Sequence, residues 1–280
     1  MKEFKDKVLC VTGAASGIGR AVALEGALRG MKVVINDIDA EGLTETEAMC
    51  KEYGVPVVSL AADISSAENV EALLNVCLDN FGKVNIMVAN AGVTAPGPVW
   101  ELPIQDINWI SKCNFVSHTY AMHYFLKQMI KQGDECCYMN TASGAGLGIS
   151  FSSCMYHATK TADVVQTECT YLALKSRGIT NISMHVLCPA YIKTTIHLSD
   201  NHRPDWAAIN DDPYYQSEEF IAGKIRAARG VSTGIPIDSV GLTVFTAFEE
   251  DQFYILTHPE ALVVQQQRMK NVFELSHPGT

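Results

Sequence analysis

The chain has 280 residues, 48% of them hydrophobic and 19% charged, with 20 glycines, the composition of an ordinary globular protein rather than a disordered, collagen-like or coiled-coil one. Its 21 Lys and Arg against 31 Asp and Glu give a formal net charge of −10. With no compact basic stripe to offset it, that acidity argues against nucleic acid as a partner.

In chain order, short apolar runs alternate with longer stretches of helical spacing. The spacing predicts a strand at Val8–Val11, a helix at Ile18–Leu28, a strand at Lys32–Ile35 and a helix at Glu41–Tyr53. A strand at Val55–Leu60, a helix at Asn69–Phe81, a strand at Val84–Ala89 and one long helix at Ile104–Lys131 come next. Then follow a strand at Cys136–Thr141, a helix at Met155–Lys175 and a strand at Ile182–Leu187. Short apolar strands separated by helices imply parallel pairing, because parallel neighbours need crossovers and are buried on both faces. Right-handed crossovers then make an α/β, Rossmann-type doubly wound sheet of about seven strands with helices on both faces.

The alternation breaks after Leu187. Residues 195–234 form a polar stretch dotted with Trp206, Tyr214, Tyr215 and Phe220, and a segment of that length without a clear strand reads as a functional lid. Its aromatic side chains are expected to pack either on a bulky apolar substrate or on the protein body. A last helix near Asp238–Phe248 and a strand at Phe253–Leu256 close the pattern. One catalytic domain over residues 1–257, with 258–280 as a C-terminal tail or extra helix, is the expected organisation. No apolar run suggests a signal peptide or a bilayer span, so a cytoplasmic protein without membrane contact is expected.

Directly after the first strand comes Thr12-Gly13-Ala14-Ala15-Ser16-Gly17-Ile18-Gly19, opening into a helix. Glycine admits positive φ and lets a backbone approach a ligand closely. A helix N-terminus turns free N–H groups and its positive dipole end towards a pyrophosphate. Strand, glycine turn and helix in succession are the context a dinucleotide site requires. Asp37, ending the second strand, can accept hydrogen bonds from the adenosine ribose hydroxyls and would repel a 2′-phosphate. Neither Ser16 nor Ile38 supplies a compensating positive charge. NAD is therefore expected in preference to NADP.

Tyr156-His157-Ala158-Thr159-Lys160 puts a phenol and an ammonium at i and i+4 on one helical face. A phenol titrating near 10 is a poor base at neutral pH, and an adjacent cation is the means of making it a better one. Ser143, just after a strand, is placed to hold a substrate oxygen.

Taken together, the TGxxxGxG turn, Asp37, Asp63-Ile64, Asn90-Ala91-Gly92, Asn114, Ser143, Tyr156 and Lys160 resemble the short-chain dehydrogenases/reductases of the classical type, in order and spacing, over nearly the whole chain. The resemblance implies that Tyr156 is the general acid/base, that Lys160 tunes it and binds the nicotinamide ribose, and that Ser143 orients the carbonyl or hydroxyl. Asn114 would help hold a water in a proton relay. Asp63 and Ile64 would contact adenine, and Asn90 would brace the sheet beside the cofactor. Pro189-Ala190-Tyr191-Ile192-Lys193-Thr194 resembles the family's PGxxxT segment, with Thr194 and the Ile192 backbone near the carboxamide. Ala89 and Ala190 depart from the usual Asn and Gly of these motifs.

The nine cysteines show neither zinc-type nor disulfide spacing, and most are read as buried thiols, Cys113 and Cys188 among them. His118 and His123 are poorly spaced for a metal on one helical face, and no metal is expected. His157 should point away from Tyr156 and act structurally. The resemblance further implies a homo-oligomer, dimer or tetramer, built on the two long helices. The expected activity is NAD-dependent hydride transfer between a secondary alcohol, such as a hydroxysteroid or bile acid, and its ketone; the alternative is a catalytically idle NAD-binding sensor or scaffold.

Overall fold

The computed structural model describes residues 1–259 and 262–278. Seven strands form one sheet: β1 (Val8–Thr12), β2 (Lys32–Asp37), β3 (Val57–Ala61), β4 (Ile86–Ala89), β5 (Cys136–Thr141), β6 (Ile182–Cys188) and β7 (Tyr254–Leu256). Their order is β3-β2-β1-β4-β5-β6-β7, and every neighbouring pair is parallel. The chain winds outwards from β1 to β3, then returns to place β4 on the other side of β1. That reversal opens a crevice at the carboxyl ends of β1 and β4, where doubly wound sheets bind ligands.

Strand alternation divides the core between the two faces. Leu9 and Val11 pack on one face with Val22 of α1 (Gly17–Leu28) and with Phe245 and Phe248 of α9 (Val240–Glu250). Val8 and Cys10 pack on the other with Leu73 of α3 (Ala67–Phe81) and Phe125 of α5 (Ser117–Gln132). Helix α2 (Ala40–Lys51) begins at Asp39, whose side chain caps Gly42 N–H, while Ser66 caps α3 through Asn69 N–H.

The expected helix Ile104–Lys131 is continuous but is interrupted by one wider turn. Helix α4 (Ile104–Ser111) passes through a π-turn, Lys112–Val116, into α5. The cause is tertiary. The Asn114 carboxamide accepts from Val93 N–H at 2.7 Å and donates to Val93 C=O at 2.9 Å, which fixes that turn against the loop after β4. Ser117 N–H consequently reaches Lys112 C=O, and the Cys113 carbonyl it skips accepts from the Ser117 hydroxyl at 2.6 Å.

Of two further helices, the first lies outside the expected pattern, and the second is the extra helix that is one of the two expectations for the end of the chain. A short α6 (Gly144–Leu147) starts at Ser143, ahead of α7 (Cys154–Ser176). Residues beyond 258 hold α10 (Leu262–Phe273), and a Cβ on Gly148 would lie 2.9 Å from Val264 Cγ1, so this last helix rests against the end of α6. Between β6 and α9 the chain makes short 3-10 turns at Ile196–His202, Asp205–Ala207 and Pro213–Gln216, then α8 (Glu218–Ser232).

His185 on β6 is fully buried; its Nδ1 donates to Gln252 C=O at 2.8 Å and Ser183 Oγ donates to Nε2 at 2.9 Å. Burial pulls the imidazole down from 6.5 to about 4. The folded chain thus keeps His185 neutral while the unfolded chain protonates it. Its contribution is complete above about pH 6.5 and is lost as the pH falls towards 4. Urea unfolding of His185→Gln, which keeps a donor and an acceptor but does not titrate, should show a decline over that interval smaller than the wild-type decline by on the order of 3 kcal/mol.

Candidate active site

The glycine turn is built by close approach. Gly13 and Gly17 have φ of +65° and +54°, left-handed values that disfavour any side chain. A Cβ on Gly19 would stand 2.1 Å from the Gly13 carbonyl oxygen, so only glycine lets α1 start so near β1. Thr12 Oγ1 accepts from Asn90 N–H at 2.9 Å and Ala91 N–H at 3.1 Å, and Asn90 Nδ2 donates to the carbonyls of Thr12 and Gly13. These bonds knot β1 to β4 across the crevice. At the start of α1, Ser16 provides no side-chain cap, the first turn holds no acidic residue, and the Ser16 hydroxyl instead meets Thr195 Oγ1 at 2.9 Å.

The expected site residues converge on one groove. Gly13, Ser16, Gly17 and Ile18 form its floor; Asp37, Asp63 and Ile64 line one end. Asn90, Ala91 and Gly92 line the middle, and Tyr156, Lys160, Pro189 and Thr194 line the other end. Gly19, Asn114, Ser143 and Ile192 stand behind the wall. Asp37 accepts from Ala15 N–H at 2.9 Å and Asp39 N–H at 3.1 Å, and burial raises its carboxyl above the ordinary value. Tyr191 C=O and Lys193 N–H both pair with Ile235, so Ile192 turns its own backbone groups away from that bridge. Ala190, in the place of a glycine, has ordinary negative φ and donates its N–H to Thr257 Oγ1 at 3.3 Å.

Lys160 is only 2% exposed. Its ammonium donates to Thr141 C=O at 2.7 Å and to Asp163 Oδ2 at 3.3 Å. Asp163, with no exposure at all, also accepts from Gln166 Nε2 at 2.9 Å and lies 3.0 Å from His118 Nδ1. The other ring nitrogen of His118 is 3.0 Å from Ala91 C=O. Since a carbonyl only accepts, Nε2 is the donor to Ala91, and Nδ1 meets the Asp163 carboxyl. A buried chain of bonds therefore runs from Lys160 to the Asn90-Ala91-Gly92 turn. Sequence reasoning missed Asp163 and read His118 only as a poor metal ligand. The available signal was spacing, with Asp163 at i+3 from Lys160 and His118 at i+4 from Asn114.

Gly92 keeps the space above Lys160 open: a Cβ there would lie 3.5 Å from Lys160 Nζ and 3.6 Å from Asn114 Oδ1. Asn114, expected to help hold a relay water, has its carboxamide committed to Val93. Ser143 accepts from Ala145 N–H at 3.1 Å and donates to Pro189 C=O at 3.4 Å. His157 acts structurally, its Nδ1 donating to Ala145 C=O at 2.9 Å. Cys113 lines the groove and Cys188 lies behind it; burial pushes both thiols up to about 12.

The lid aromatics pack on the protein body. Tyr214 and Phe220 stand edge-to-face at 5.6 Å, as do Tyr215 and Phe220 at 5.5 Å. With Ala95, Leu102 and Ile110 they form an apolar cluster that also touches Tyr156.

A dinucleotide fits these residues. The uncapped α1 N-terminus suits a pyrophosphate, Asp37 suits a ribose, and Thr141 Oγ1, on the groove wall, is buried without a hydrogen-bond partner, a polar group left over for a ligand. Residues 7–205 match the family model described as short chain dehydrogenase. The chain belongs to the short-chain dehydrogenase/reductase family. It is 40% identical over 272 residues, 97% of its length and 95% of the relative's, to a CLA biosynthesis dehydrogenase/reductase of Lactiplantibacillus plantarum. A 3-oxoacyl-[acyl-carrier-protein] reductase of Synechocystis sp. is 30% identical over 229 residues, 81% of this chain and 90% of that one. A short chain dehydrogenase/reductase from Burkholderia phymatum, solved in complex with NAD, superposes with a TM-score of 0.96 at 34% identity, covering 100% of this chain and 99% of its own.

For this dehydrogenase/reductase, removing a partner of the buried ammonium leaves it uncompensated. Asp163→Ala should cost about 3–5 kcal/mol, read as a large drop in the melting temperature. Asp163→Asn keeps an acceptor for Lys160 but not the charge, and should cost less than Asp163→Ala while remaining below wild type. Equal melting temperatures for Asp163→Ala and wild type would show that the pair carries no such load.

Proposed function

We propose that this dehydrogenase/reductase is NAD-dependent and moves a hydride between a secondary alcohol or ketone and the nicotinamide, with Tyr156 holding and moving the substrate's proton. The observation that carries this reading is the common face of α7, where Tyr156 and Lys160 both open onto the groove and the buried Lys160 is held as an ammonium by Thr141 and Asp163. The nicotinamide, when bound, supplies the hydride acceptor or donor. Lys160 places a positive charge near the phenol without exposing it to water, where the same charge would be strongly screened. Ser143, held by Ala145 N–H at the end of β5, would turn its hydroxyl from the Pro189 carbonyl to a substrate oxygen.

NAD is favoured over NADP by the Asp37 carboxylate at the end of β2. Arg20, one turn into α1, is committed to Thr46, Gly42 C=O and Glu45 and does not face a 2′-phosphate. Within the secondary alcohols the reading extends to bulky apolar ones, such as a hydroxysteroid, a bile acid or a hydroxylated long-chain fatty acid. The 40% identical relative, named for CLA biosynthesis, favours the fatty acid within that class. The reading takes the protein as a cytoplasmic homo-oligomer, and the exposed Val165, Tyr171 and Leu172 of α7 are the surface that favours self-association.

Tyr156→Phe should lose at least roughly 100-fold in kcat/KM while binding NADH with unchanged affinity. Spectrophotometric turnover with NAD and NADP, across hydroxysteroids, bile acids and hydroxy fatty acids, checks this. NADH binding without turnover on any of them would favour the idle sensor or scaffold. Asp37→Asn should shift the preference towards NADP, measured as the ratio of kcat/KM for the two dinucleotides. An unchanged ratio would mean that Asp37 does not select the cofactor.

A further inference from the structure

The segment between β6 and α8 does not lie only where a substrate would. Its first turns, residues 196–207, run over the end of the groove marked by Asp37, Asp63 and Ile64, and Ile196, Ser199, His202 and Pro204 form part of the same wall. We propose that residues 196–207 are an adenosine clasp, in which Trp206 and His202 close the strap over the adenosine half of the dinucleotide and Arg203 rivets it down. The inference rests on the dinucleotide reading above.

Two contacts join the strap to the opposite wall. Trp206 Nε1 donates to Asp63 Oδ2 at 2.9 Å, and its ring lies under the Lys112 ammonium at 4.5 Å. His202 Nε2 stands 3.9 Å from Asp39 Oδ2, just beyond the end of β2. Asp63 also accepts from Ser65 N–H at 2.9 Å and Ser65 Oγ at 2.8 Å. Three bonds on a carboxylate that offers about four acceptor positions leave one for the amino group of an adenine.

The rivet is Arg203, whose side chain is only 3% exposed. Its guanidinium engages Asp106 of α4 through both oxygens, at 2.6 and 3.2 Å, and donates from Nε to Asp200 at 2.9 Å. It stacks on Trp109, 4.0 Å from the ring centroid, and Tyr215 donates its hydroxyl to Asp106 at 2.6 Å. Lys224 of α8 ties Asp200 at 2.7 Å and the His197 carbonyl at 2.8 Å. A bidentate, water-excluded pair of this kind fixes orientation as well as position. The strap is thus anchored to α4 and α8 while its tip reaches the groove through few bonds, so the tip is what opens.

The strap stands between the adenosine end and solvent, so it gates both entry and exit. The test uses the full chain, with NADH binding followed by nucleotide fluorescence in stopped flow, and ADP-ribose and nicotinamide mononucleotide titrated by calorimetry. Trp206→Phe keeps an aromatic ring, a smaller one, and removes the donor. In it, the NADH dissociation rate should rise roughly 5- to 10-fold and the association rate should rise by less, because the gate is open for longer and the closed clasp is held less firmly. ADP-ribose should weaken in parallel, and nicotinamide mononucleotide should not. Arg203→Met paired with Asp106→Leu removes the rivet without leaving a buried charge and should reproduce the pattern. If both variants bind NADH and ADP-ribose as wild type does, the clasp is wrong and the dinucleotide reading stands. Wild type binding neither NADH nor NADPH would sink both.

Discussion

A buried ammonium that has to remain charged is the constraint around which the site is arranged. Lys160 has almost no contact with water, and an isolated cation in such a place would lose its proton sooner than its environment. Thr141 C=O and Asp163 supply what water would have given. Asp163 in turn needs donors of its own, which come from Gln166 and from the His118 contact, and His118 closes the chain on Ala91. The ends of β4 and β5 and the two helices that flank them are therefore held by one charge and its partners. Because each bond satisfies a group that is already out of water, loosening one member exposes the next to the same desolvation cost.

The sheet and most of its helices were legible from the sequence because their signals are local. Continuous apolar runs such as Val8–Val11 can only be buried on both faces, and the glycine turn declares itself by a spacing that strand and helix must share. What was not legible depends on partners far away along the chain. The wider turn between α4 and α5 comes from Asn114 bonding to Val93; the helical pattern across Ile104–Lys131 carries no trace of it. The expectation that Asn114 would serve a water was drawn from the motif alone, and the motif does not declare that its carboxamide also splints the turn to Val93. Likewise, Asp163 among the apolar neighbours of α7 looks like an ordinary helical acid until His118 and Lys160 arrive beside it.

The long segment after β6 shows the same division. Its irregularity and its aromatic content could be read, but not the two jobs it performs. Tyr214, Tyr215 and Phe220 fill a small core of their own against Tyr156, while the turns before them pass over the groove's other end. A single insertion thus meets both ends of the site. Substitutions within it need not act on one end only, because Tyr215 bonds Asp106, the same carboxylate that anchors Arg203.

The cysteines have a practical consequence of a different kind. A thiol near 12, as at Cys113 and Cys188, has only about one part in 10⁵ as thiolate at neutral pH, and Cys50, Cys136 and Cys137 are pushed up to about 11 or 12 by the same burial. Alkylating and oxidising reagents therefore meet a groove wall that contains sulfur yet hardly reacts. The exposed thiols are Cys154 and Cys169, both on α7. Cys154 sits two positions before Tyr156. A dye or spin label added to the unaltered chain is thus directed by chemistry alone to the helix that holds Tyr156 and Lys160, and it reports on that helix with no cysteine having to be engineered in.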